Sequence, residues 1–297
     1  MNHILTFDIG GTYIKYAVMN TAYEILERGK TETPRESREQ LISTLSSIYG
    51  KFSDISGIAI SMPGIIDTEN GYCKMGGSLH YNDDFYLAQA LKEKCPVDIV
   101  IENDAKCAAM AEASEGSLKD VEDGFVLIFG TMVGGGYIRN HKLVRGKHFS
   151  AGEISYILSG NDAPAFEGNI FGNRCSASGL CRMYAEKKQL DVKEVTGRKV
   201  FDAVNANDPE AIEVLDRVTR EIAVQIFSLQ TILDVERFAI GGGISAQPAF
   251  TESIRSNLKK LYDECPFTLP QAEITTCMFQ NDANLIGALS CFLAACQ

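Results

Sequence analysis

The sequence is short of positive charge. Its 28 Lys and Arg face 39 Asp and Glu, a formal net charge of −11 over 297 residues. Nucleic acids and anionic membranes both require clustered cations, so neither is an expected partner. There is no apolar run approaching the ~20 residues that span a bilayer. The start, MNHILTFDIGGT, has neither the basic segment nor the cleavage site of a secretory signal. Nine cysteines contain no CxxC or CxC pair, which excludes the usual structural zinc spacing. An odd set of thiols in apolar contexts, such as Cys107 in DAKCAAMAEA, reads as small buried hydrophobes of a reducing, cytoplasmic protein. Two nucleotide fingerprints are also missing. Gly29-Lys30-Thr31 ends like a GxxxxGK[ST] loop, but Glu24 stands where the first glycine belongs, and no GxGxxG joins a strand to a helix.

What is present is the composition of a globular protein, 45% hydrophobic and 23% charged, at a length that favours two lobes. Strands and helices alternate, so the class is α/β. HILTF, YIKYAVMN and YEILERGKTET read as three strands, and ESREQLISTLSSIYG as a helix closing at Gly50 as C′. ISGIAISM is a buried strand stopping at Pro63-Gly64. DDFYLAQALKEK reads as a helix capped by Asp83 or Asp84. VDIVIE is a strand, and Asn103-Asp104 opens a helix that ends at Gly116. From residue 124 the opening pattern returns: FVLIF, a glycine-rich turn GTMVGGG, then YIRN. Both hairpins end at Asn, which suggests a duplicated fold whose lobes face a cleft. Residues 155–175 show no period and read as a surface excursion. Asp208 and Pro209 start a long helix with Ile212, Leu215, Ile222, Ile226, Leu229 and Leu233 as its core stripe. The helix NDANLIGALSCFLAAC is apolar nearly all round and is expected to be buried.

Three glycine clusters follow apolar strands: Gly10-Gly11, Gly134-Gly135-Gly136 and Gly241-Gly242-Gly243. Glycine there lets backbone N–H groups converge on an anion, and the hydroxyls of Thr12 and Thr131 stand beside two of them, pointing to a polyphosphate ligand. Asp8 precedes the first turn. Among phosphate-binding amides a carboxylate requires a cation between, so it reads as a magnesium contact through water; otherwise it is a turn residue bonding its own backbone. Asp104 reads either as a helix-start residue or as a general base that accepts the proton of an attacking hydroxyl, with Asn103 beside it binding substrate.

DIGGTYIK, PGIID, ENDA, FGTMVGGG, AGEI and AIGGGIS occur in the order of the ROK-family sugar kinases, and the chain resembles that family over essentially its whole length. The resemblance implies a duplicated actin/hexokinase-like (ribonuclease H-like) fold with a central cleft. Its N-terminal lobe would comprise residues 1–115 with 284–297, and its C-terminal lobe residues 116–283. It implies ATP and Mg²⁺ as cofactors, a small sugar as partner and a homodimer. Asp8, Gly10, Gly11, Thr12 and Lys15 would meet the phosphates and magnesium. Gly130, Thr131, Gly134 and Gly135 would form the second phosphate turn, and Gly241, Gly242 and Gly243 would flank the adenosine. Asn103, Glu153, Gly64 and Gly77 would line the sugar, and Asp104 would be the base. Sugar is expected to close the lobes about hinges near Gly116 and Asn281–Asn284. Two departures stand out. Met132 fills the third position of a turn that reads GTGxGGG in the family, and Ser155-Tyr156 replaces Gly-His. Only Cys175 and Cys181 remain where most members carry a CxCGxxGC loop, and two thiols alone make a poor zinc site, so a zinc-free member is expected. AGEI-S-Y, KMGGSLHYNDDF and EVTGRKVFDAV are most similar to the β-glucoside kinases of the family. That implies transfer to the 6-hydroxyl of a cellobiose-type sugar, with glucokinase and N-acetylmannosamine kinase as alternatives. A sugar sensor without catalysis, or a repressor, is the reading from another class.

Overall fold

The computed structural model describes residues 3–159, 166 and 168–296; part of the excursion expected over 155–175 therefore lies outside the described residues. The chain divides into two compact units. The first comprises residues 1–116, 142–151 and 281–297, and the second residues 117–141 and 152–280.

The first unit is built on a five-stranded sheet of order β3-β2-β1-β4-β7. β1 (His3–Ile9), β2 (Tyr13–Met19) and β3 (Ile25–Glu32) form an antiparallel meander, and β4 (Ile55–Met62) and β7 (Asp98–Asn103) run parallel to β1. Position in the sheet follows composition. β1 and β4 are central and almost continuously apolar, whereas β3, with four charged residues in ILERGKTE, lies at the edge. Between β4 and β7 lie a hairpin, β5 (Ile65–Asp67) with β6 (Tyr72–Met75), and a short helix α2 (Leu87–Lys92). α1 (Arg38–Tyr49) buries Leu41, Leu45 and Ile48, and Gly50 ends it in ordinary right-handed backbone (φ −64°) instead of the left-handed C′ geometry expected. α3 (Asp104–Glu115) and α9 (Ala283–Ala295) pack on each other, and α9 covers β1 and β4.

The second sheet repeats the first in order and direction. β8 (Gly124–Phe129) pairs antiparallel with β9 (Val133–Arg139), the two-residue β10 (Lys142–Leu143) follows at the edge, and β11 (Arg237–Gly241) and β12 (Glu273–Thr276) run parallel, giving β10-β9-β8-β11-β12. The two glycine/threonine hairpins of the sequence are thus the same element in two copies. Around this sheet the second unit places α4 (Phe171–Cys175), α5 (Ala177–Lys188), α6 (Gly197–Asn205), α7 (Pro209–Leu233) and α8 (Pro248–Glu264). Asp208 caps α7 by accepting the N–H groups of Glu210 and Ala211. Among the described residues no helix is long and apolar enough to cross a membrane.

Three local expectations are corrected. Neither Asp83 nor Asp84 caps α2, which starts at Leu87 after Tyr86: Asp83 accepts the Gly76 N–H and Asp84 the Tyr72 hydroxyl, neither of them in the helix. Ile212 does not belong to the core stripe of α7; it is 43% exposed, and Val214 and Val218 are buried with Leu215, Ile222 and Ile226. Residues 134–136 are not part of a turn. They lie inside β9, paired with β8 at Ile128↔Gly134 and Leu127↔Gly135, so the turn is confined to residues 130–132.

Candidate active site

In the first unit, chemistry collects at the carboxyl ends of β1 and β7. The turn between β1 and β2 is pinned from one side. Gly10 N–H donates to Tyr13 O, Thr33 Oγ1 donates to Gly10 O at 2.6 Å, and Thr33 N–H donates to Thr12 O. With those carbonyls held by Thr33, the N–H groups of Gly11 and Thr12 have no acceptor among the described residues, and both residues are exposed. Two free amides beside a threonine hydroxyl fit a phosphate. Gly10, expected among the phosphate contacts, uses its own N–H to close the hairpin. Asp8 is nearly buried at the end of β1; its Oδ1 accepts from Asn284 Nδ2 at 2.9 Å, and Lys15 Nζ lies 3.4 Å from its Oδ2. Each oxygen has one partner, an arrangement that suits a magnesium ion held through its water shell.

β7 ends in Glu102, Asn103 and Asp104. Asn103 is the N-cap of α3: its Oδ1 accepts the Lys106 N–H at 3.1 Å, while its Nδ2 donates to Gly64 O at 2.9 Å. Asp104 is the first residue of the helix, half-buried, with Oδ1 accepting the Ala105 N–H at 2.8 Å. Both alternatives for this pair therefore meet in one place. Asn103 does cap the helix, and Asp104 is left at the positive end of the helix dipole, which favours an ionised carboxylate.

The β5–β6 hairpin explains the two glycines expected near the sugar. Gly64 precedes β5 and Gly76-Gly77 follows β6, so they face each other at its open end. Gly64 has φ +115°, and a Cβ there would sit 1.9 Å from Met75 O. Only glycine fits this position. A cavity of about 570 Å³ is lined by Gly11, Thr12, Ser78 and Tyr81 among others, so the first turn and the Gly77 loop border the same space.

In the second unit, the turn after β8 repeats the first. Gly130 N–H closes on Met132 O, and the N–H groups of Thr131 and Met132 have no acceptor among the described residues. Beside it, Gly241 ends β11 and Gly242 (φ +92°) lies so close to β8 that a Cβ would meet Phe129 O at 2.3 Å. Gly243 faces open space. The turns at 130–132 and 241–243 are therefore adjacent. A Cβ on Gly135 would lie 2.6 Å from Gly152 O, so the bare strand admits the loop that leads to Glu153.

That loop is clasped by Ser155, which donates to Val133 O at 2.7 Å and accepts Val133 N–H at 3.1 Å. The sequence flagged Ser155 only as a departure; the structure makes it the staple between the Glu153 loop and the second turn. Met132 is 38% exposed, and its terminal methyl packs near Gly172 of α4. Cys175 is buried, its thiol facing Val218 O at 3.9 Å and held strongly protonated by burial; Cys181 lies on α5. Sequence reasoning gave no site role to Glu102, which stands in the ENDA run, to Asn284, which was expected only at a hinge, or to Arg145, Lys106 and Thr33; each acts on a candidate site residue from far along the chain or from beside it. The one local signal was the acidic residue directly before Asn103.

A model of the ROK family matches residues 4–295. A β-glucoside kinase of Listeria innocua is 32% identical over 291 residues, covering 98% of this chain and 97% of that protein. The structure of a ROK family protein from Streptococcus pneumoniae in complex with sucrose superposes with a TM-score of 0.89 at 30% identity, over 99% of this chain and 98% of that one. A ROK family glucokinase from Streptomyces griseus in complex with glucose and AMPPNP shares the fold, with a TM-score of 0.83 at 22% identity over 97% and 98% of the two chains. The match runs from β1 to α9 and takes in both copies of the repeated sheet; this chain belongs to the ROK family and has its duplicated actin/hexokinase-like fold.

Proposed function

We propose that the protein is an ATP-dependent sugar kinase that transfers the γ-phosphate to the 6-hydroxyl of a β-glucoside such as cellobiose. The observation that carries this reading is the Asn103-Asp104 pair. A carboxylate at a helix N-terminus stands beside an amide whose Oδ1 and one Nδ2 hydrogen are already bonded. In this reading Asp104 accepts the hydroxyl proton as the sugar oxygen attacks, a role worth on the order of 10²–10⁴ in rate. The second Nδ2 hydrogen of Asn103 and the Glu153 carboxylate bind sugar hydroxyls, and the backbones of Gly64 and Gly77 form a wall against the ring. The free amides of Gly11, Thr12, Thr131 and Met132 would hold the phosphates, Gly241–Gly243 would flank the adenosine, and Asp8 and Lys15 would meet the magnesium shell and the phosphate charge. When bound, ATP supplies the phosphoryl group and magnesium offsets its charge.

Family membership and the name of the Listeria innocua relative support the choice of a β-glucoside. An ADP-release assay across cellobiose, gentiobiose, salicin, glucose, fructose and N-acetylmannosamine tests it. The highest kcat/KM is expected on cellobiose or another β-glucoside. A clear preference for glucose or N-acetylmannosamine replaces the substrate assignment, and sugar binding without ADP release on any of the six makes the protein a sensor.

A further inference from the structure

Glu102 is the one member of the Glu102-Asn103-Asp104 run with no part in the chemistry described so far, and it is almost fully buried, at 1% exposure. A charge so buried persists only where partners satisfy it. Its Oε1 accepts the N–H of Asn103 at 2.8 Å. Its Oε2 accepts Arg145 Nε at 2.6 Å and Thr68 Oγ1 at 3.1 Å. Three segments of the first unit meet on this carboxylate: the end of β7, the exit of the β5–β6 hairpin's first strand, and residues 142–151. A second bond ties the same pieces together, from Lys106 Nζ in the first turn of α3 to Phe149 O at 3.0 Å.

The network reaches Asn103 at three atoms. Glu102 holds its N–H, the Lys106 N–H holds its Oδ1, and Gly64 O holds its Nδ2. Turning the amide over would place Nδ2 against a donor and Oδ1 against an acceptor, so one orientation alone is satisfied. Asn103 thus has its second Nδ2 hydrogen to offer a sugar hydroxyl, in a direction set by backbone that Glu102 anchors. On the far side, Thr68 and Arg145 line a cavity of about 1160 Å³ together with Lys92 and Asp98. A Glu102 carboxylate that loses Arg145 has solvent to turn toward, and it would take the Asn103 N–H bond with it.

We propose that Glu102 and Arg145 are positioning residues for phosphoryl transfer, an ion pair between a buried carboxylate and a half-buried guanidinium that fixes the Asn103 amide and the helix turn carrying Asp104. The proposal rests on the kinase reading above. Full-length Arg145→Met, Arg145→Lys, Thr68→Val and the double variant Glu102→Gln/Arg145→Met are assayed for kcat, for sugar KM and ATP KM separately, and for melting temperature. Misplacing reacting groups costs about tenfold to a hundredfold. The double variant, which removes the buried carboxylate charge together with its partner, is expected to melt near wild type yet lose at least about tenfold in kcat/KM for sugar, with ATP KM within about twofold. Arg145→Lys should recover part of the loss, because it restores the charge without the guanidinium geometry. Thr68→Val leaves the ion pair intact and should lose a few-fold in kcat/KM for sugar alone. A folded double variant with wild-type kcat and sugar KM overturns the proposal and leaves the kinase reading standing. If the double variant does not fold, Thr68→Val decides: wild-type sugar kinetics there overturn the proposal. Absence of sugar-dependent ADP release by the wild type overturns the kinase reading first and the proposal with it.

Discussion

Replacing Asp104 by Asn separates the catalytic role proposed for this residue from its structural one, because the two effects differ in expected size. The Asn side chain keeps an oxygen for the Ala105 N–H that Asp104 Oδ1 accepts at 2.8 Å. The N-cap bond of α3 belongs to Asn103 and is untouched. The negative charge lost at the helix N-terminus contributes about 0.3–1 kcal/mol. For a chain of this size that contribution corresponds to about 4 °C of melting temperature or less. The loss of a general base costs about 10²–10⁴ in kcat, or roughly 3–5.5 kcal/mol of barrier at about 1.4 kcal/mol per tenfold. Activity should therefore fall far more than stability. Sugar affinity, proposed to rest on Asn103 and its neighbours, should change by less than about threefold, which is under about 1 kcal/mol. Coupled ADP release with saturating ATP gives kcat, and calorimetry gives the sugar Kd and the melting temperature. An Asp104→Asn variant that folds normally and keeps more than about a third of wild-type kcat would refute the reasoning and leave Asp104 as a helix-start residue only.

Ser155→Ala removes both bonds to Val133 from a buried site, a loss of about 2–4 kcal/mol, so the melting temperature should fall by roughly 5–12 °C; an unchanged melting curve would show that the clasp carries no load. Gly242→Ala forces a Cβ toward Phe129 O at 2.3 Å with φ +92°; strain of about 1–3 kcal/mol plus the clash should raise ATP KM at least about tenfold, and wild-type ATP kinetics would exclude the third turn from the nucleotide site. Magnesium chelation should abolish turnover and added magnesium restore it, while a zinc chelator leaves melting unchanged; elemental analysis finding about one zinc per chain would sink the zinc-free reading.

The duplicated sheet was legible because a strand, a glycine/threonine turn and a second strand are all local, and both copies end at Asn20 and Asn140. The helix start at the candidate site was legible at Asn103 and Asp104 for the same reason: cap and first helical residue are neighbours. The glycines of residues 134–136 misled because glycine marks close backbone approach as readily as it marks a turn, and here the approaching backbone, Gly152, belongs to another segment. Asp83 and Asp84 look like caps in sequence, yet the Gly76 N–H and the Tyr72 hydroxyl, brought to them by β6, take their oxygens. Glu102 and Arg145 are 43 positions apart, and neither carries a mark of the other in the sequence.

The first unit takes its strands from residues 3–103 and its covering helix α9 from residues 283–295. A ribosome makes the chain in one direction, so the apolar faces of β1, β4 and α3 must wait for more than half of the polypeptide before their lid exists. During that interval the nascent sheet is sticky and incomplete, a condition in which chaperones bind and aggregates begin. The second unit has no such delay, since its described strands and helices, in residues 117–141 and 152–280, lie between residues 124 and 276. Synthesis order thus reverses folding order: the part made first is finished last, and premature stop codons ahead of α9 should send the whole product to degradation, although every residue proposed to bind sugar has already been translated.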